Sequence, residues 1–398
     1  THSFVDLGMS PLAHSYLKRE QLFAMEPFYP LHAFVCDSCY LVQVPEFESP
    51  EQIFGDYAYF SSYADTWLDH VNAYAGKVTK RFRLGPNSLV MEIASNDGCL
   101  LQCFKKAGIP VLGVEPAKNV ARVAQAAGIP TTVTFLSVAA ATKLASNGKQ
   151  ADLLVANNVM AHVPNLNDFV GGMKILLKPK GVITIEFSHL MRMMEGNQFD
   201  SIYHEHFSYY SLLSAEKILC KHGLAIFDLD EIPTHGGSLR LYVRHQEDSS
   251  HHDEPSVGKL RAAEVAAGFN RLETYRSFTE QVQNTKNNIL DFFIGAKRQR
   301  KSIVAYGAPA KGNTLLNYCG IQADCIDYAV DRSPHKQGLF LPGTHIPIFS
   351  PDKVQETKPD YLVILPWNLR DEVMRQMSHI RHWQGRFVTL IPEVTIYS

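Results

Sequence analysis

The chain has 398 residues, which suggests two or three domains and room for more than one hydrophobic core. Hydrophobic residues make up 45% of it and charged residues 20%, ordinary globular values that exclude a disordered or collagen-like chain. Lys and Arg number 38 against 40 for Asp and Glu, so the net charge of −2 offers nucleic acid no overall attraction.

Neither a membrane nor an oxidising compartment is indicated. No apolar run approaches the roughly 20 residues of a membrane helix, and the first residues lack the basic-then-apolar pattern of a signal peptide. Seven cysteines are present, and only Cys36 and Cys39 have metal-ligand spacing. Because a dense, even disulfide framework is absent, we expect a cytoplasmic protein. The net charge and the lack of a long apolar run lead us to expect no nucleic-acid or membrane partner.

The predicted elements begin with a small irregular module over 1–62, which is turn-rich, aromatic and rich in proline. A helix over 63–82 then leads into a region where strands and helices alternate, a pattern typical of a parallel sheet covered on both faces. The strands of this region are predicted at 89–94, 111–114, 151–156, 181–187, 224–229 and 238–243, and its helices at 99–107, 117–127, 166–176 and 214–220.

A polar segment over 246–255 is predicted to be a linker. Helical periodicity then runs through 257–299, and a second α/β unit follows, with strands at 302–306, 328–330 and 361–365. The fold class is therefore α/β. The predicted domains span 1–62, 63–247 and 248–398.

A nucleoside site is predicted where the first strand of the central region ends. Residues 90–98 form a strand and a tight polar turn that opens a helix, the edge at which open α/β sheets bind ligands. Gly98 is the only glycine of the turn, which disfavours a dinucleotide because pyrophosphate needs glycines for close approach. Glu115 ends the next strand, where a carboxylate can accept from both ribose hydroxyls. A generic strand–turn–helix with a surface glutamate is the alternative.

Residues 92–98 resemble the first motif of S-adenosylmethionine-dependent methyltransferases, although Ala94 and Asn96 replace its usual glycines. Further strings, in the same order and over essentially the whole chain, are similar to bacterial sugar C-methyltransferases that act on nucleotide-linked 4-keto-deoxy sugars. These strings are Leu7-Gly8 with Pro11-Leu12-Ala13, Cys36-x-x-Cys39, YAYFSS at 57–62, SNDG at 95–98, NNVxAH at 157–162, YHEH at 203–206, HGGS at 235–238 and GAPAKG at 307–312.

This resemblance implies a central Rossmann-like class I methyltransferase domain, a small N-terminal module of zinc-binding type and a C-terminal Rossmann-like α/β domain. It also implies methyl transfer from S-adenosylmethionine to the carbon beside the keto group, after a base has removed a proton from that carbon. The residues expected to bind the cofactor are Glu92, Ser95, Asn96, Asp97, Gly98, Glu115, Pro116, Asn157 and Asn158.

Residues 203–206 place two histidines, a glutamate and a tyrosine in one short stretch. Histidine titrates near neutral pH and can therefore act as a base under physiological conditions. The resemblance makes His206 the expected base, and an exposed strand with inert histidines is the alternative. The stretch does not have the spacing of the H-E-x-x-H zinc motif, so no catalytic metal is expected. The side chains expected to orient the base, or to hold the sugar and its keto group, are Tyr57, His162, Tyr203 and Glu205.

Cys36 and Cys39 provide two of the four ligands that a structural zinc needs. The resemblance implies a second C-x-x-C pair ahead of Thr1. We therefore expect a structural zinc in a chain that has both pairs, and a departure from the family pattern with two free thiols is the alternative.

Lys311 lies in a loop between a predicted strand and a predicted helix. Backbone N–H groups and a cation at such a position suit an anion, here the nucleotide end of the substrate. An inert Rossmann-like scaffold is the alternative. The resemblance adds Ser61 and His235 as substrate contacts.

Other functions stay open at this point. An O- or N-methyltransferase acting on a sugar or another small molecule would use the same cofactor without enolisation. An NAD(P)-dependent oxidoreductase would need the missing glycine fingerprint, and a zinc-stabilised interaction module would leave residues 203–206 unexplained. The expected partner is a nucleotide-sugar substrate, and a monomer is the working expectation for the oligomeric state.

Overall fold

The computed structural model describes residues 1–50, 62 and 65–398. Within these residues the chain forms three β-sheets, of four, seven and six strands. The sheets follow one another along the chain, except that one short strand from the central region joins the first sheet. That exception fixes the N-terminal module against the segment that carries residues 203–206.

The N-terminal module is an antiparallel sheet, and the prediction of an irregular unit is wrong. Leu31, Ala33 and Val35 are buried while their neighbours are not, and this period of two gives a strand one core face. These strands were not predicted because the segment is rich in proline and long turns separate one strand from the next. In sheet order the strands are β1 (His2–Ser10), β2 (Tyr29–Val35), β3 (Val42–Gln43) and β9 (Ser208–Tyr209).

The central sheet is doubly wound, with the order β10-β11-β8-β7-β4-β5-β6. Strands β4 to β8 are parallel, and β11 runs antiparallel to both of its neighbours. Helices cover both faces, so the inner strands are almost wholly apolar. The strands are β4 (Val90–Ile93), β5 (Val111–Val114), β6 (Thr131–Thr132), β7 (Ala151–Asn157), β8 (Leu177–Ser188), β10 (Leu224–Ile232) and β11 (Ser238–His245).

The helices of this region form two layers. Tyr74 and Phe104 belong to the hydrophobic core on one face of the sheet, and Phe169 and Leu219 to the core on the other. The helices are α1 (Asp65–Arg81), α2 (Cys99–Lys106), α3 (Lys118–Ala126), α4 (Val138–Ser146), α5 (Leu166–Leu176), α6 (Leu190–Glu195) and α7 (Leu212–Lys221).

The predicted helical stretch after the linker consists of three helices. The first packs against β10 and α7, and the third packs against β1 and the C-terminal unit. They are α8 (Pro255–Ala266), α9 (Leu272–Arg276) and α10 (Phe278–Arg298).

The C-terminal sheet has the order β14-β13-β12-β15-β16-β17 and is parallel except for β17. None of the helices in the described part of the chain is long and apolar enough to cross a membrane. The strands are β12 (Ile303–Tyr306), β13 (Ala329–Val330), β14 (Ile348–Phe349), β15 (Tyr361–Ile364), β16 (Arg386–Thr389) and β17 (Thr395–Tyr397), and the helices are α11 (Ala310–Cys319), α12 (Lys353–Thr357) and α13 (Arg370–Gln376).

Candidate active site

The turn after β4 reaches a left-handed conformation without the usual run of glycines. Ala94, Asn96 and Gly98 have φ angles of 55°, 49° and 77°. Asparagine tolerates the left-handed conformation because its short side chain can hydrogen-bond to the nearby backbone. Here Asn96 Oδ1 accepts from the Asp97 N–H at 2.9 Å. At Gly98 a Cβ atom would lie 3.1 Å from Ile129. The carboxyl edge of the sheet therefore has the tight polar turn that its sequence predicts.

Glu115 ties this turn to the loop after β5. Its Oε2 accepts from the Asn96 N–H and its Oε1 from the Ala117 N–H, each at 2.8 Å. Pro116 lies between Glu115 and that second donor and has no N–H of its own. Burial raises the pKa of Glu115 despite the two donors. Each oxygen keeps a further lone pair, which a ribose hydroxyl can use.

Two further contacts hold the loops around this edge. Asp97 Oδ1 accepts from the Cys99 N–H at 3.3 Å, and its Oδ2 accepts from the Ser62 N–H at 3.0 Å. Asn158 follows β7 with a φ of 52°, and its N–H donates to the Glu186 carbonyl at 2.7 Å. These hydrogen bonds hold the loops after β4, β5 and β7 together at the carboxyl edge of the sheet.

Several polar atoms at this edge are buried and have no hydrogen-bond partner among the described residues. They are Glu92 Oε2, Ser95 Oγ and both polar side-chain atoms of Asn157. Burial raises the pKa of Glu92 well above its ordinary value, and the carboxyls of Asp97 and Glu115 raise it further. Because buried polar groups are normally hydrogen-bonded, these atoms are suited to bind a ligand's polar groups. The three carboxyls of Glu92, Asp97 and Glu115 also lie close together here. The edge therefore suits a cationic ligand that carries amino or hydroxyl groups.

His206 lies in the loop between the 3-10 helix Phe199–Ser201 and β9. Its Nδ1 is 3.2 Å from the Ser201 carbonyl and its Nε2 is 2.8 Å from the Tyr203 hydroxyl. Because a carbonyl can only accept, Nδ1 carries the proton and Nε2 accepts from Tyr203. Burial, helped by His162 and Lys311, holds the pKa of His206 well below its ordinary value. The ring is therefore neutral at pH 7, as a general base must be.

His162 packs against His206, with the ring centroids 4.7 Å apart. Its Nδ1 donates to the Glu205 carbonyl at 2.8 Å, which leaves Nε2 unprotonated in the neutral ring. Burial lowers the pKa of His162. Two neutral imidazoles therefore lie side by side in this part of the site.

The partner of Glu205 is His14, a residue that no motif in the sequence indicates. Its Nδ1 donates to Glu205 Oε2 at 2.6 Å, and the Glu205 side chain is only 4% exposed. Burial alone would raise the pKa of Glu205, but the charge and hydrogen bond of His14 hold it below its ordinary value. His14 directly follows the Pro11-Leu12-Ala13 string, and that adjacency is the one signal that the sequence offers.

Tyr16 is a second residue of the N-terminal module that lies near this site and that no sequence motif indicates. Its hydroxyl donates to the Ala308 carbonyl at 2.6 Å, and Lys336 Nζ donates to the same oxygen at 2.8 Å. Asp331 Oδ2 accepts from the Ala308 N–H at 2.8 Å. The N-terminal module therefore contacts both residues 203–206 and the GAPAKG loop of the C-terminal unit.

Lys311 is directed toward the central region. Its Nζ lies 4.7 Å from the centroid of the Trp367 ring, and Trp367 Nε1 donates to Asp200 Oδ2 at 2.7 Å. Burial lowers the pKa of Lys311, and the Asp200 carboxylate opposes that shift. Asp200 belongs to the 3-10 helix just before residues 203–206.

His204 faces away from this cluster. Its Nε2 donates to the Pro30 carbonyl at 3.2 Å, and its ring packs against Tyr29 and Phe47. His204 therefore joins the N-terminal sheet to the central region. Of the remaining predicted residues, Tyr57 and Ser61 lie outside the described residues, and His235 is described only as part of the 3-10 helix Thr234–Gly236.

Three family models match consecutive parts of the chain. They are described as "Putative zinc binding domain" over 1–54, "Methyltransferase domain" over 67–229 and "C-methyltransferase C-terminal domain" over 233–392. The C-methyltransferase NovU of Streptomyces niveus is 33% identical over 394 residues, which are 99% of this chain and 94% of NovU. The chain belongs to this C-methyltransferase family. The protein is an S-adenosylmethionine-dependent C-methyltransferase, and the family resemblance in its motifs is confirmed.

Solved structures resemble this C-methyltransferase over about half of its length. A protein of Pyrococcus horikoshii OT3 is 13% identical, with a TM-score of 0.38, covering 50% of this chain and 99% of the other. An S-adenosylmethionine-dependent methyltransferase of Archaeoglobus fulgidus is also 13% identical, with a TM-score of 0.35, covering 44% and 94%. At these TM-scores the likeness says nothing about substrate or mechanism.

The residues at the carboxyl edge fit S-adenosylmethionine, which would supply an electrophilic methyl group on a positively charged sulfur. In this C-methyltransferase a cationic cofactor would meet an acidic environment at this edge, formed by Glu92, Asp97 and Glu115. The unpartnered amide of Asn157 can accept from an amino group and donate to a carboxylate.

Cys36 and Cys39 lie in the turn between β2 and β3 and are both free thiols. Although burial opposes it, backbone N–H groups of Cys39 and Ser38 hold the pKa of Cys36 below its ordinary value. Within 1–50 and 65–398, no group of three or more potential metal ligands comes together. The two thiols thus fit half of a zinc site.

Proposed function

We propose that this C-methyltransferase acts on a nucleotide-linked 4-keto-deoxy sugar of the dTDP type and methylates the carbon beside the keto group. His206 would take the α-proton, and Tyr57, His162, Tyr203 and Glu205 would hold the sugar or orient the base. The sequence motifs support the substrate class. The geometry around His206 supports the proton transfer.

One observation carries this proposal, namely the tautomer of His206. The Ser201 carbonyl keeps the proton on Nδ1, so that Nε2 has a lone pair. The Tyr203 hydroxyl donates to that lone pair at 2.8 Å. A neutral imidazole that is oriented by a carbonyl and accepts at Nε2 from an exchangeable hydroxyl has the properties of a general base.

In the proposed step, the α-proton moves to Nε2 of His206. The electrons of the C–H bond form the enolate double bond, and the carbonyl π electrons move onto the oxygen. Once Nε2 is protonated it no longer accepts from Tyr203, whose hydroxyl would then donate to the enolate oxygen. His206 thereby becomes an imidazolium, whose Nδ1–H stays bonded to the Ser201 carbonyl.

Deuterium exchange at the α-carbon tests this function because only C-methylation requires enolisation. The enzyme is incubated in D2O with dTDP-4-keto-6-deoxyglucose and S-adenosylhomocysteine, which cannot donate a methyl group, and exchange is followed by NMR. We expect exchange with the unaltered enzyme and a loss of at least about 100-fold with His206→Asn. The matched control is His204→Gln, which alters the neighbouring histidine outside the cluster and should keep exchange within about twofold.

Three outcomes count against the proposal. Methyl transfer to oxygen or nitrogen without exchange would assign the enzyme to another class of methylation. Full exchange in a folded His206→Asn variant would remove His206 from the base role. No exchange and no methylation with any keto-sugar nucleotide would remove the substrate class.

A further inference from the structure

The C-terminal unit contacts the segment that positions His206, and these contacts are close. Helix α11 packs on the 3-10 helix Phe199–Ser201, and the Phe199 ring lies 5.3 Å from Tyr318 on α11. A Cβ atom on Gly312 would lie 2.8 Å from Leu365, so the helix can approach the sheet this closely only with glycine there. Lys311 therefore has a defined position at the start of α11.

Trp367 connects the same two units. Its indole N–H donates to Asp200 at 2.7 Å, and its ring lies against Gly236, at a site where a Cβ atom would clash. Asp200 is fully buried, and its Oδ1 has no hydrogen-bond partner among the described residues. The Lys311 ammonium lies over the Trp367 ring, 4.7 Å from the ring centroid.

These contacts hold a lysine of the C-terminal unit against the segment that carries Asp200 and Ser201, just before the proton-transfer residues. The charge of Lys311 acts on both Asp200 and His206. Ser201, whose carbonyl fixes the tautomer of His206, directly follows Asp200 in the chain. The lysine is thus associated, through Asp200 and Trp367, with the segment that positions His206.

We propose that Lys311 is the cation of the reaction centre, where its charge stabilises the enolate that forms when His206 takes the α-proton. The role rests on the proposed function. Asp200 and Trp367 act as positioning residues that hold the ammonium in place. A fixed positive charge in a buried site can contribute strongly, because it needs no reorganisation as the enolate charge develops.

The charge of Lys311 also bears on the pH range in which the enzyme works. A neighbouring cation disfavours the imidazolium, so Lys311 helps to keep His206 neutral. Without this cation the pKa of His206 rises, and the acidic limb of the kcat/KM profile moves to higher pH. Among the described residues, the titratable and charged groups that act on or contact His206 are His14, His162, Tyr203, Tyr209 and Lys311, and Glu205 adjoins it in the chain.

Lys311→Met tests this role through the separation of kcat from KM. We expect kcat to fall about 100-fold while KM for the keto-sugar nucleotide stays within about threefold. The acidic limb should also move to higher pH, and Lys311→Arg should recover about tenfold of the lost rate. The matched control is Lys286→Met, which removes the lysine stacked 4.4 Å over Tyr318 of the same helix and should change neither constant by more than about twofold.

NMR titration of labelled His206 gives a second readout that needs no turnover. A higher pKa of His206 in folded Lys311→Met supports the role of the cation. A large rise in KM with unchanged kcat would overturn it and place Lys311 at the nucleotide phosphates instead. This failure differs from failure of the proposed function, in which the unaltered enzyme itself neither exchanges the α-proton nor methylates a keto-sugar nucleotide.

Discussion

His206 and Tyr203 form a single hydrogen-bonded unit. The imidazole can accept at Nε2 only because the Ser201 carbonyl holds the proton on Nδ1, and the tyrosine can be released only when that nitrogen is protonated. Each group therefore depends on the other during the proposed proton transfer. Residues that act in this way show strongly non-additive effects when they are replaced.

The double variant Tyr203→Phe/His206→Asn should exchange the α-proton no more slowly than His206→Asn alone, to within about threefold. The reason is that loss of the base already removes the step in which the tyrosine takes part. Exchange rates of the unaltered enzyme, both single variants and the double variant give the coupling directly. Losses that simply multiply would show that the two side chains act independently.

The ion pair of His14 with Glu205 makes a prediction about stability. Because Glu205 is buried, His14→Ala leaves a carboxylate without its donor, and we expect a loss of about 1–3 kcal/mol at pH 7. The folded-state pKa of Glu205 lies below its ordinary value of 4.5, so the stabilisation is complete above that pH and disappears as the pH falls through the folded value. The difference between variant and parent should therefore shrink toward pH 4 and below.

Urea unfolding at pH 7, 5 and 4 measures this difference. His32→Ala is the control, because its pairing with Asp6 at 3.8 Å is partly exposed and should contribute less than about 0.5 kcal/mol. A pH-independent loss in His14→Ala would mean that packing, and not the charge of Glu205, accounts for the effect.

At the scale of elements, the strongly patterned segments were predictable and the weakly patterned ones were not. The buried strands β4, β5 and β7 are short apolar runs between polar turns, and they lie where the sequence predicts them. Strand β6 is two threonines at a sheet edge, and β9 pairs across the chain with β3, so neither has a local signal. His14 and Trp367 reach the site through such long-range packing, which explains why motifs alone did not select them.

Glu264 shows how one element depends on another. This fully buried residue of α8 accepts from the N–H groups of Leu212 and Leu213 at the start of α7, at 2.7 and 2.9 Å. His189 Nε2 lies 2.7 Å from the same carboxylate. The carboxylate thus supplies acceptors to a helix N-terminus that would otherwise have unsatisfied donors.

Glu264→Ala should destabilise the protein by about 3–5 kcal/mol, because it leaves buried donors on α7 without acceptors. Glu264→Gln keeps one acceptor oxygen and should lose less. Thermal and urea unfolding of the two variants test this order, with exposed Glu273→Ala expected within about 0.5 kcal/mol of the parent. Equal losses for the alanine and glutamine variants would show that the charge of Glu264, and not its acceptor geometry, determines the stability.

For the whole molecule, the hydrophobic cores cross the boundaries that the sequence predicts. Phe4 of β1 stacks on Phe278 of α10 with ring centroids 5.0 Å apart. Both belong to one continuous cluster that also contains Ile303 and Val363 of the C-terminal sheet. The N-terminal module and the C-terminal unit therefore share a core, although the methyltransferase region separates them in the chain. Since buried apolar area dominates folding energetics, these two parts should open together.

Hydrogen exchange of two core variants tests this cooperativity in the intact protein. Phe4→Ala should cost about 3–5 kcal/mol, and we expect protection to fall by about 100-fold or more in α10 and β12 with little change in β4 and β7. The control is Phe104→Ala, an equally buried residue of the central core, which should show the reverse pattern. Loss of protection confined to β1 and β2 in Phe4→Ala would instead mean that the N-terminal module opens alone and that the shared core does not couple it to the C-terminal unit.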